Sequence, residues 1–292
     1  MEERKKKRKR SLLSCKAVSL ILAAATLFSI IAVIPDEAKS AEYSFGGTGI
    51  TEITITDDAC RQASKNKEFH WIRFQPKKTG SITIAASNAS SVAKDTYGNI
   101  VLCNASKKVI DNTADRYETA GNEARRTVTY GVKAGSAYYF RVESSGGVKL
   151  RAAVSSIKKN AGKTFKKAKL LAHGKTVKGV VVAGDKTADW YKINLTKSKK
   201  IEITCSAKTN GWNGTNVADG IRVTFCDSTG TMFTKNAFGI LSRNQIQYKM
   251  TYFLKAPGSK KKYNLKRGVY YIRVERFNKA SSGEYTVKWN MI

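Results

Sequence analysis

Two blocks of this sequence occur twice, in the same order. The block HWIRF at 70–74 returns as DWYKI at 189–193, and YYFRVE at 138–143 returns as YYIRVE at 270–275. A spacing of roughly a hundred residues or more is too long for the unit of a solenoid and matches one ordinary domain. The repetition therefore predicts two tandem domains, not a repeat array.

Strict alternation of apolar and polar side chains is the commonest pattern in both halves. Residues 245–254 show it over ten positions, and 270–275 and 285–289 continue it. Period two is typical of half-buried antiparallel strands. Turn signals separate these runs, and no long segment has a helical period. The pattern predicts an all-β chain of two antiparallel β-sandwiches, each closed over its own apolar core.

The predicted domain boundaries are set by composition. Residues 41–156 are assigned to the first sandwich and 157–292 to the second. Six lysines crowd the segment from Ser155 to Lys169, which has few apolar residues. Like charges favour an extended, cleavable linker there.

Residues 1–40 have the composition of an export signal. Eight basic residues lie within 1–16, an uncharged apolar run follows at 17–34, and Ala38-Lys39-Ser40 precedes Ala41. This order is typical of a cleaved signal peptide. The alternative is an uncleaved membrane anchor, since 17–34 is close to the length that spans a bilayer core. Either outcome places the rest of the chain outside the cell or on its surface.

The exported part is strongly basic. The chain has 53 Lys plus Arg against 22 Asp plus Glu; residues 1–40 hold nine and four of these, so the remainder carries a net charge of +26. Such a field concentrates polyanions without specifying which one. The expected partners are wall polymers, acidic glycans or matrix components, with no specific nucleic acid and a membrane only through 17–34. The alternative is that the charge serves solubility alone.

Four cysteines lie beyond the leader: Cys60, Cys103, Cys205 and Cys226. An oxidising compartment invites disulfides between them. Alternation places Cys205 on the same face of its strand as Ile201 and Ile203, which are expected core residues. Cys226 lies on the opposite face of its strand from Ile221, Val223 and Phe225, so it is expected to face solvent. Side chains on opposite faces cannot be joined without a bulge, which predicts no Cys205–Cys226 bridge.

The second half resembles the bacterial pre-peptidase C-terminal domain family. The resemblance rests on Asn160, the run Gly174 to Gly179, Gly184-Asp185, Asp189 to Ile193, Gly268 to Glu275 and Ser282 to Val287. The first half resembles it in degenerate form, with His70 where the second has Asp189. The family implies a jelly-roll-like, non-catalytic β-sandwich that is usually appended to secreted hydrolases. Some relatives in collagenases bind collagen and calcium. No hydrolase accompanies the domains here, so only a binding or structural role is implied.

The sequence indicates no catalytic centre. His70 and His173 are the two histidines, and their separation fits neither a familiar zinc site nor a hydrolytic triad. Both are interpreted as structural or surface residues. Acidic turns make weak calcium candidates of Asp57, Asp58, Asp185 and Asp189. The alternative is that these residues only cap turns.

Two loops of the second half are candidate binding sites. Trp212 and Asn213 lie in a polar loop, NGWNGTN, where no strand pattern would bury a large ring. Lys260, Lys261, Lys262, Lys266 and Arg267 form the densest run of charge in that half. Trp71, Trp190 and Trp289 are interpreted instead as core or sheet-packing residues.

Taken together, these features predict a secreted or surface-associated, non-catalytic protein that binds an extracellular, anionic polymer such as a wall glycan, matrix component or glycosaminoglycan. The alternative is an accessory or chaperone-like module of a secreted hydrolase system that binds a protein partner.

Overall fold

The structure is a computed structural model. It describes residues 43–89, 96–110, 115–120, 123–124, 127–210, 220–241, 245–255, 262–279 and 281–292. The leader, residues 1–40, lies outside these ranges, so its cleavage or anchoring stays a prediction. Within the ranges, no helix combines the length and the apolar character needed to cross a membrane.

The first half forms two sheets, here called the first sheet pair. Its strands are β1 (Tyr43–Phe45), β2 (Gly49–Ile55), β3 (His70–Phe74), β4 (Gly80–Asn88), β5 (Tyr97–Asn104), β6 (Asp115–Ala120), β7 (Glu123–Ala124), β8 (Thr127–Val132), β9 (Tyr138–Ser144) and β10 (Val148–Ser156). The larger sheet has the order β1-β3-β9-β5-β6-β7, and the smaller has the order β2-β10-β4-β8. Neighbours run antiparallel, except that β1 is parallel to β3.

The second half forms the second sheet pair. Its strands are β11 (Lys169–Leu170), β12 (Thr176–Val181), β13 (Asp189–Leu195), β14 (Ile201–Thr209), β15 (Ile221–Cys226), β16 (Phe238–Leu241), β17 (Gln245–Tyr252), β18 (Leu254–Lys255), β19 (Lys262–Tyr263), β20 (Gly268–Arg276) and β21 (Gly283–Met291). The sheet orders are β11-β13-β20-β15-β16 and β12-β21-β14-β17, and β18 pairs with β19 in a separate hairpin.

Strand order repeats between the two halves. The larger sheets match as β1-β3-β9-β5-β6 against β11-β13-β20-β15-β16, and the smaller as β2-β10-β4-β8 against β12-β21-β14-β17. The parallel pairing recurs as well, with Tyr43 opposite Ile72 and Lys169 opposite Tyr191. Positions in the two halves can therefore be compared through their sheet register.

Each sheet pair encloses its own core. In the first, Ile72 and Phe140 from the larger sheet meet Ile82 and Tyr130 from the smaller. The second core likewise draws on both sheets, through residues such as Tyr191, Ile272, Ile203 and Val287. These side chains come from alternate positions of their strands, as period two requires, and their burial is the main favourable contribution to folding. The prediction of a chain built almost entirely of β-strands in mainly antiparallel sheets is confirmed, although β1–β3 and β11–β13 are parallel.

A short helix, α1 (Asp57–Asn66), follows β2, although the sequence showed no helical period. The Thr56 hydroxyl accepts a hydrogen bond from the Ala59 amide at 3.3 Å, and Asp57 and Asp58 lie in the first turn. Both features stabilise a helix N-terminus. Lys67 ends the helix in the left-handed region, with φ 56°. Capping, rather than an apolar stripe, marks this helix in the sequence.

The lysine-rich segment between the sheet pairs is held against the second one. Ile157 is buried, and Gly162 exchanges two backbone hydrogen bonds with Trp190, of 3.0 and 2.8 Å. A 3₁₀ turn at Phe165–Lys167 then leads into β11. The expected extended linker is therefore wrong, because burial and backbone pairing outweigh repulsion among exposed lysines. The domain boundary at 156/157 stays a prediction.

Residues 41–292 form one compact unit, and the two sheet pairs touch within it. The Ala183 amide donates to the Gly131 carbonyl at 2.8 Å. Ser81 donates to Glu284 at 2.7 Å, and the Lys178 ammonium lies 3.1 Å from the same carboxylate. Ser81 and Glu284 are both buried. A buried carboxylate needs hydrogen-bonding and charged partners, and Ser81 supplies one of them from the other sheet pair. This contact therefore links β4 of one smaller sheet to β21 of the other.

Candidate functional site

The hairpin β18–β19 carries part of the predicted basic loop. Lys262, Lys266 and Arg267 are all exposed. The Lys262 ammonium lies 4.9 Å from the centre of the Phe253 ring, which is a cation–π contact. Trp212, Asn213, Lys260 and Lys261 lie outside the described residues, so their roles stay predictions.

A buried leucine joins this hairpin to a second basic turn. Leu265 is fully buried, and its amide donates to the Lys199 carbonyl at 3.0 Å. Its own carbonyl accepts from the Ser198 hydroxyl, also at 3.0 Å. The turn between β13 and β14 is thereby fixed beside the segment that leads into β20, although the two are more than sixty residues apart in sequence.

We call the resulting surface the cationic end. It consists of five exposed side chains: Lys197, Lys199, Lys262, Lys266 and Arg267. Among the described residues, none of the five forms an ion pair with a carboxylate. Lys197 and Lys199 were not predicted as part of this surface, because their turn reaches it through contacts between residues more than sixty positions apart. Besides the Leu265 contacts, the Asn264 side-chain amide donates to the Ser198 carbonyl at 3.2 Å. Unpaired like charges held side by side attract anions strongly.

Two of the calcium candidates belong to α1. The Asp57 carboxylate accepts from the Gly147 amide at 2.5 Å. Asp58 forms an exposed ion pair with Arg61, one turn further along the helix. Both carboxylates thus interact with groups of the protein, as residues in a first helical turn do.

The other two candidates lie at the start of β13. Asp185 accepts from the Thr187 amide at 2.9 Å, and this hydrogen bond helps to lower its pKa although partial burial acts against it. Asp189 is buried, and burial raises its pKa even though the Lys159 ammonium lies 2.7 Å away and Tyr285 donates to it at 2.7 Å. Within the described ranges, no three His, Cys, Asp or Glu side chains come together to hold a metal ion. Calcium binding stays a prediction.

Both histidines pack against aromatic rings. His70 begins β3, and its ring centre lies 6.2 Å from that of Tyr43. Burial lowers the pKa of His70. His173 accepts a hydrogen bond from the Met291 amide at 3.0 Å and lies 5.2 Å from Trp289. These contacts are those of structural side chains.

The four cysteines are buried free thiols. The expectation that Cys226 faces solvent is wrong: its side chain is fully buried although it lies outside the core cluster. The neighbouring outer-face residue Thr224 is fully buried as well, so a position out of phase with the core is not necessarily exposed. Burial raises the pKa of Cys205 to about 12 and that of Cys226 to about 11. Burial also raises the pKa of Cys60. A nucleophilic cysteine requires the opposite shift.

A cavity of about 320 Å³ lies between α1 and β9. Cys60, Lys67, Phe69, His70 and Glu143 are among the residues that line it. Its volume is at the lower limit of small-molecule sites. Phe69 connects it to the outer face of the larger sheet, because its ring lies 6.4 Å from Trp71 and 4.4 Å from the Arg141 guanidinium.

That outer face carries an aromatic and cationic cluster, which we call the Trp71 platform. Its members are Trp71 and Arg73 on β3, Tyr139 and Arg141 on β9, and Lys107 in the turn after β5. The Trp71 and Tyr139 rings meet edge to face at 6.3 Å. The Lys107 ammonium lies 5.0 Å from one ring centre and 5.1 Å from the other. Both rings are half-buried.

The second sheet pair has the same rings in the same register. Trp190 lies opposite Arg273 as Trp71 lies opposite Arg141. Here Phe165, from the segment before β11, packs on Trp190 at 6.2 Å and on Tyr271 at 5.8 Å. Trp190 is consequently only 9% exposed. Trp289 alone of these tryptophans lies in a core cluster; Trp71 and Trp190 lie on outer faces, where they pack against the sheet.

Comparison with known proteins gives structural likenesses only. No family model matches the chain, and no curated protein matches it. It is similar to the pre-peptidase C-terminal domain of a collagenase from Bacillus anthracis at 19% identity and a TM-score of 0.29, covering 46% of this chain and 100% of that one. It is also similar to the tandem CBM22 domains of Paenibacillus barcinonensis Xyn10C, at 10% identity and a TM-score of 0.23, covering 74% and 79%.

A third similar structure contains the M60 catalytic domain and two CBM51 domains of Clostridium perfringens ZmpB. Identity is 7% and the TM-score 0.22, with 77% of this chain and 33% of that one covered. The chain thus spans about a third of that structure. Because all three TM-scores lie below 0.5, these likenesses carry no argument about fold or function.

Proposed function

We propose that this is a secreted or surface-associated, non-catalytic protein that binds an anionic extracellular polymer through the cationic end. In this proposal the two sheet pairs are tandem jelly-roll-like β-sandwiches of the pre-peptidase C-terminal type, the first degenerate. The polymer is an acidic glycan or a phosphate-containing wall polymer, which presents negative charges at regular intervals along a flexible chain.

The observation that carries the proposal is the convergence of unpaired charge. A solubilising surface needs no particular arrangement of its lysines, whereas Leu265 and Ser198 hold two basic segments together here. Repulsion between fixed like charges costs free energy in the unbound protein, and a bound polyanion relieves that repulsion.

The non-catalytic part of the proposal rests on the thiols and the histidines. Burial raises the pKa of the Cys60, Cys103, Cys205 and Cys226 thiols, and it is the largest cause of the shift in each. His173 has its Nε2 engaged by the Met291 amide. Neither set of groups has the activation that nucleophilic or general base catalysis requires.

A charge-removal experiment tests the proposal. Lys262→Gln, Lys266→Gln and Arg267→Gln are combined in one variant, with Lys197→Gln and Lys199→Gln added in a second. Affinity for heparin and for a polyglycerol phosphate is measured at several salt concentrations. We expect affinity to fall stepwise and the salt dependence to flatten by roughly one unit of log–log slope per lost contact, as for other polyelectrolytes.

The matched control removes three charges from the corresponding turns of the first sheet pair. Lys77, Lys78 and Lys133 are exposed, and the control changes them together to Gln. Because both triple variants lose the same net charge, equal losses of affinity would show nonspecific attraction and contradict the proposal. Absence of binding to either polymer at physiological salt would also contradict it.

A further inference from the structure

Two arginines lie close together on the outer face of the larger sheet of the second sheet pair. Arg222 stands on β15 and Arg273 on the neighbouring β20, where Glu275 lies directly opposite Arg222 in the register. The Glu275 carboxylate is 2.8 Å from the Arg273 guanidinium and 3.7 Å from that of Arg222. One carboxylate therefore joins two guanidinium groups, and the three side chains together keep a positive charge.

Aromatic rings hold both guanidinium groups in place. That of Arg222 lies 5.0 Å from the centre of the Phe238 ring and 5.6 Å from that of Phe277. That of Arg273 lies 5.6 Å from the Trp190 ring. These cation–π contacts restrict two long side chains, which are nevertheless 33% and 30% exposed. The arginine pair is thus preorganised and still in contact with solvent.

The donors of Arg222 are unused within the part of the chain that the structure describes. Its Nε group has no hydrogen-bond partner there, and its 3.7 Å contact with Glu275 is too long for a hydrogen bond. Arg222 therefore donates no hydrogen bond to any described residue. Because a guanidinium group has five N–H donors, an oxyanion beside the pair would supply acceptors that these residues do not.

The first sheet pair has only one of these arginines. In the same register, Glu143 lies opposite Asn99 on β5, and Arg141 lies opposite Val101. Asn99 thus takes the position of Arg222, and its side-chain amide donates to Glu143 at 3.4 Å. A neutral amide contacts the carboxylate without adding charge, so the second guanidinium group at this position belongs to the second sheet pair alone.

The arginine pair lies on the strand that follows the cationic end. Arg267 immediately precedes β20, and Arg273 follows it by six residues, which is about 20 Å along an extended strand. Between them, Lys192 stands opposite Tyr271 on the same face of the sheet. A flexible polyanion that contacts the cationic end can therefore reach the pair along a line of cations.

We propose that Arg222 and Arg273 together bind one sulfate or phosphate group of the polymer. A tetrahedral oxyanion has oxygens enough to accept from both guanidinium groups at once, and Glu275 and the rings fix their positions before it binds. Charge-assisted, bidentate hydrogen bonds of this kind favour arginine over lysine. The inference rests on the proposed function, because it assigns one defined contact to the polymer that the cationic end attracts.

Substitution at Arg222 tests the pair with short probes. A heparin hexasaccharide and a short glycerol phosphate oligomer are titrated into the full chain by calorimetry at physiological salt. We expect Arg222→Gln to weaken binding roughly tenfold, because charge-assisted hydrogen bonds are lost. Arg222→Lys keeps the charge but not the planar fork, and should still weaken binding about fivefold. A loss confined to one probe identifies the group as sulfate or phosphate.

Arg141→Gln is the matched control. It removes one arginine from the position of the first sheet pair that corresponds to Arg273, where no second arginine accompanies it in the register. We expect it to change affinity for either probe by less than about twofold, as loss of one unit of general charge does.

Inorganic sulfate tests the site without the polymer. The Nε–H signals of Arg222 and Arg273 are followed by NMR while sodium sulfate, sodium phosphate or sodium chloride is added to the native protein at equal ionic strength. We expect sulfate or phosphate, but not chloride, to shift both signals together. The signal of Arg141 should shift less.

The outcomes distinguish the two proposals. If the protein binds neither heparin nor polyglycerol phosphate, the proposed function fails. If it binds these long polymers but Arg222→Gln and Arg222→Lys bind both short probes like the native protein, the arginine-pair proposal alone fails. Equal losses in Arg222→Gln and Arg141→Gln would show general attraction and would also overturn it. Circular dichroism checks the fold of each variant. Because the sulfate titration uses the native protein, signals that do not move would overturn the proposal even if a variant failed to fold.

Discussion

The outer faces of the two larger sheets have the same residues in the same register but present different surfaces. Trp71, Tyr139 and Arg141 stand where the second sheet pair has Trp190, Tyr271 and Arg273. The first set is half-buried, while Phe165 reduces Trp190 to 9% exposure. The strand sequence thus determines where a ring lies on the sheet, whereas a packed neighbour such as Phe165 determines how much of that ring is exposed.

The two cores differ in a complementary way. Ile53 lies opposite Leu150 in the first sheet pair, and the corresponding positions of the second hold Gly179 opposite Tyr285. The small residue makes room for the large one, since a Cβ at 179 would lie 2.2 Å from the Tyr285 ring. Tyr285 in turn donates to the buried Asp189, whose place in the first pair is taken by His70. The repeat preserves strand order and backbone register more closely than residue identity.

Gly179→Ile should give the largest loss of stability. It places an isoleucine, as at Ile53 in the first core, opposite the large Tyr285 side chain of the second core. Overpacking by a whole side chain costs about 3 kcal/mol or more in a rigid core. We expect the free energy of unfolding in urea to fall by at least that amount. A fall of less than about 1 kcal/mol would mean that Tyr285 leaves the core without penalty.

The double variant Gly179→Ile with Tyr285→Leu sharpens this prediction. It recreates the Ile53–Leu150 pair at the equivalent position and should recover a large part of the stability lost by Gly179→Ile alone. Tyr285→Leu by itself is the control, since it leaves a cavity and removes the donor to Asp189. If the two changes add without coupling, the volume argument is wrong.

Phe165→Ala should make the second outer face resemble the first. Because Phe165 is only half-buried, we expect a loss of stability of about 1 kcal/mol. The informative result is exposure of Trp190, measured as increased acrylamide quenching in a Trp71→Phe background. Unchanged quenching would show that other residues cover Trp190.

The sequence predicted the repeated features of this molecule well and the unique ones poorly. Alternation along β17 and β20 predicts strands, because successive side chains of a strand point to opposite faces of the sheet. The charge of Lys262, Lys266 and Arg267 is evident from the sequence alone. The role of Phe165 was not predictable, since it depends on a contact with a strand that follows it by more than twenty residues. Trp71 and Trp190 both pack against the outer face of their sheets, as predicted, but their shared phase does not predict that the two rings differ in exposure.

His70→Gln should have the smallest effect, on the pH dependence of stability. Burial lowers the pKa of His70 from 6.5, so the unfolded chain binds more protons than the folded protein as the pH falls below that value. His70 therefore contributes stability that is present above pH 6.5 and is lost as the pH falls through the lowered pKa of the folded state. Asp189, at the equivalent position, has a raised pKa and the opposite sign, because stability from that group is lost as the pH rises. We expect the decrease in unfolding free energy between pH 7 and pH 5 to be smaller in His70→Gln than in the native protein. A decrease of the same size in both would show that His70 is hydrated in the folded state and that burial of the two positions is not equivalent.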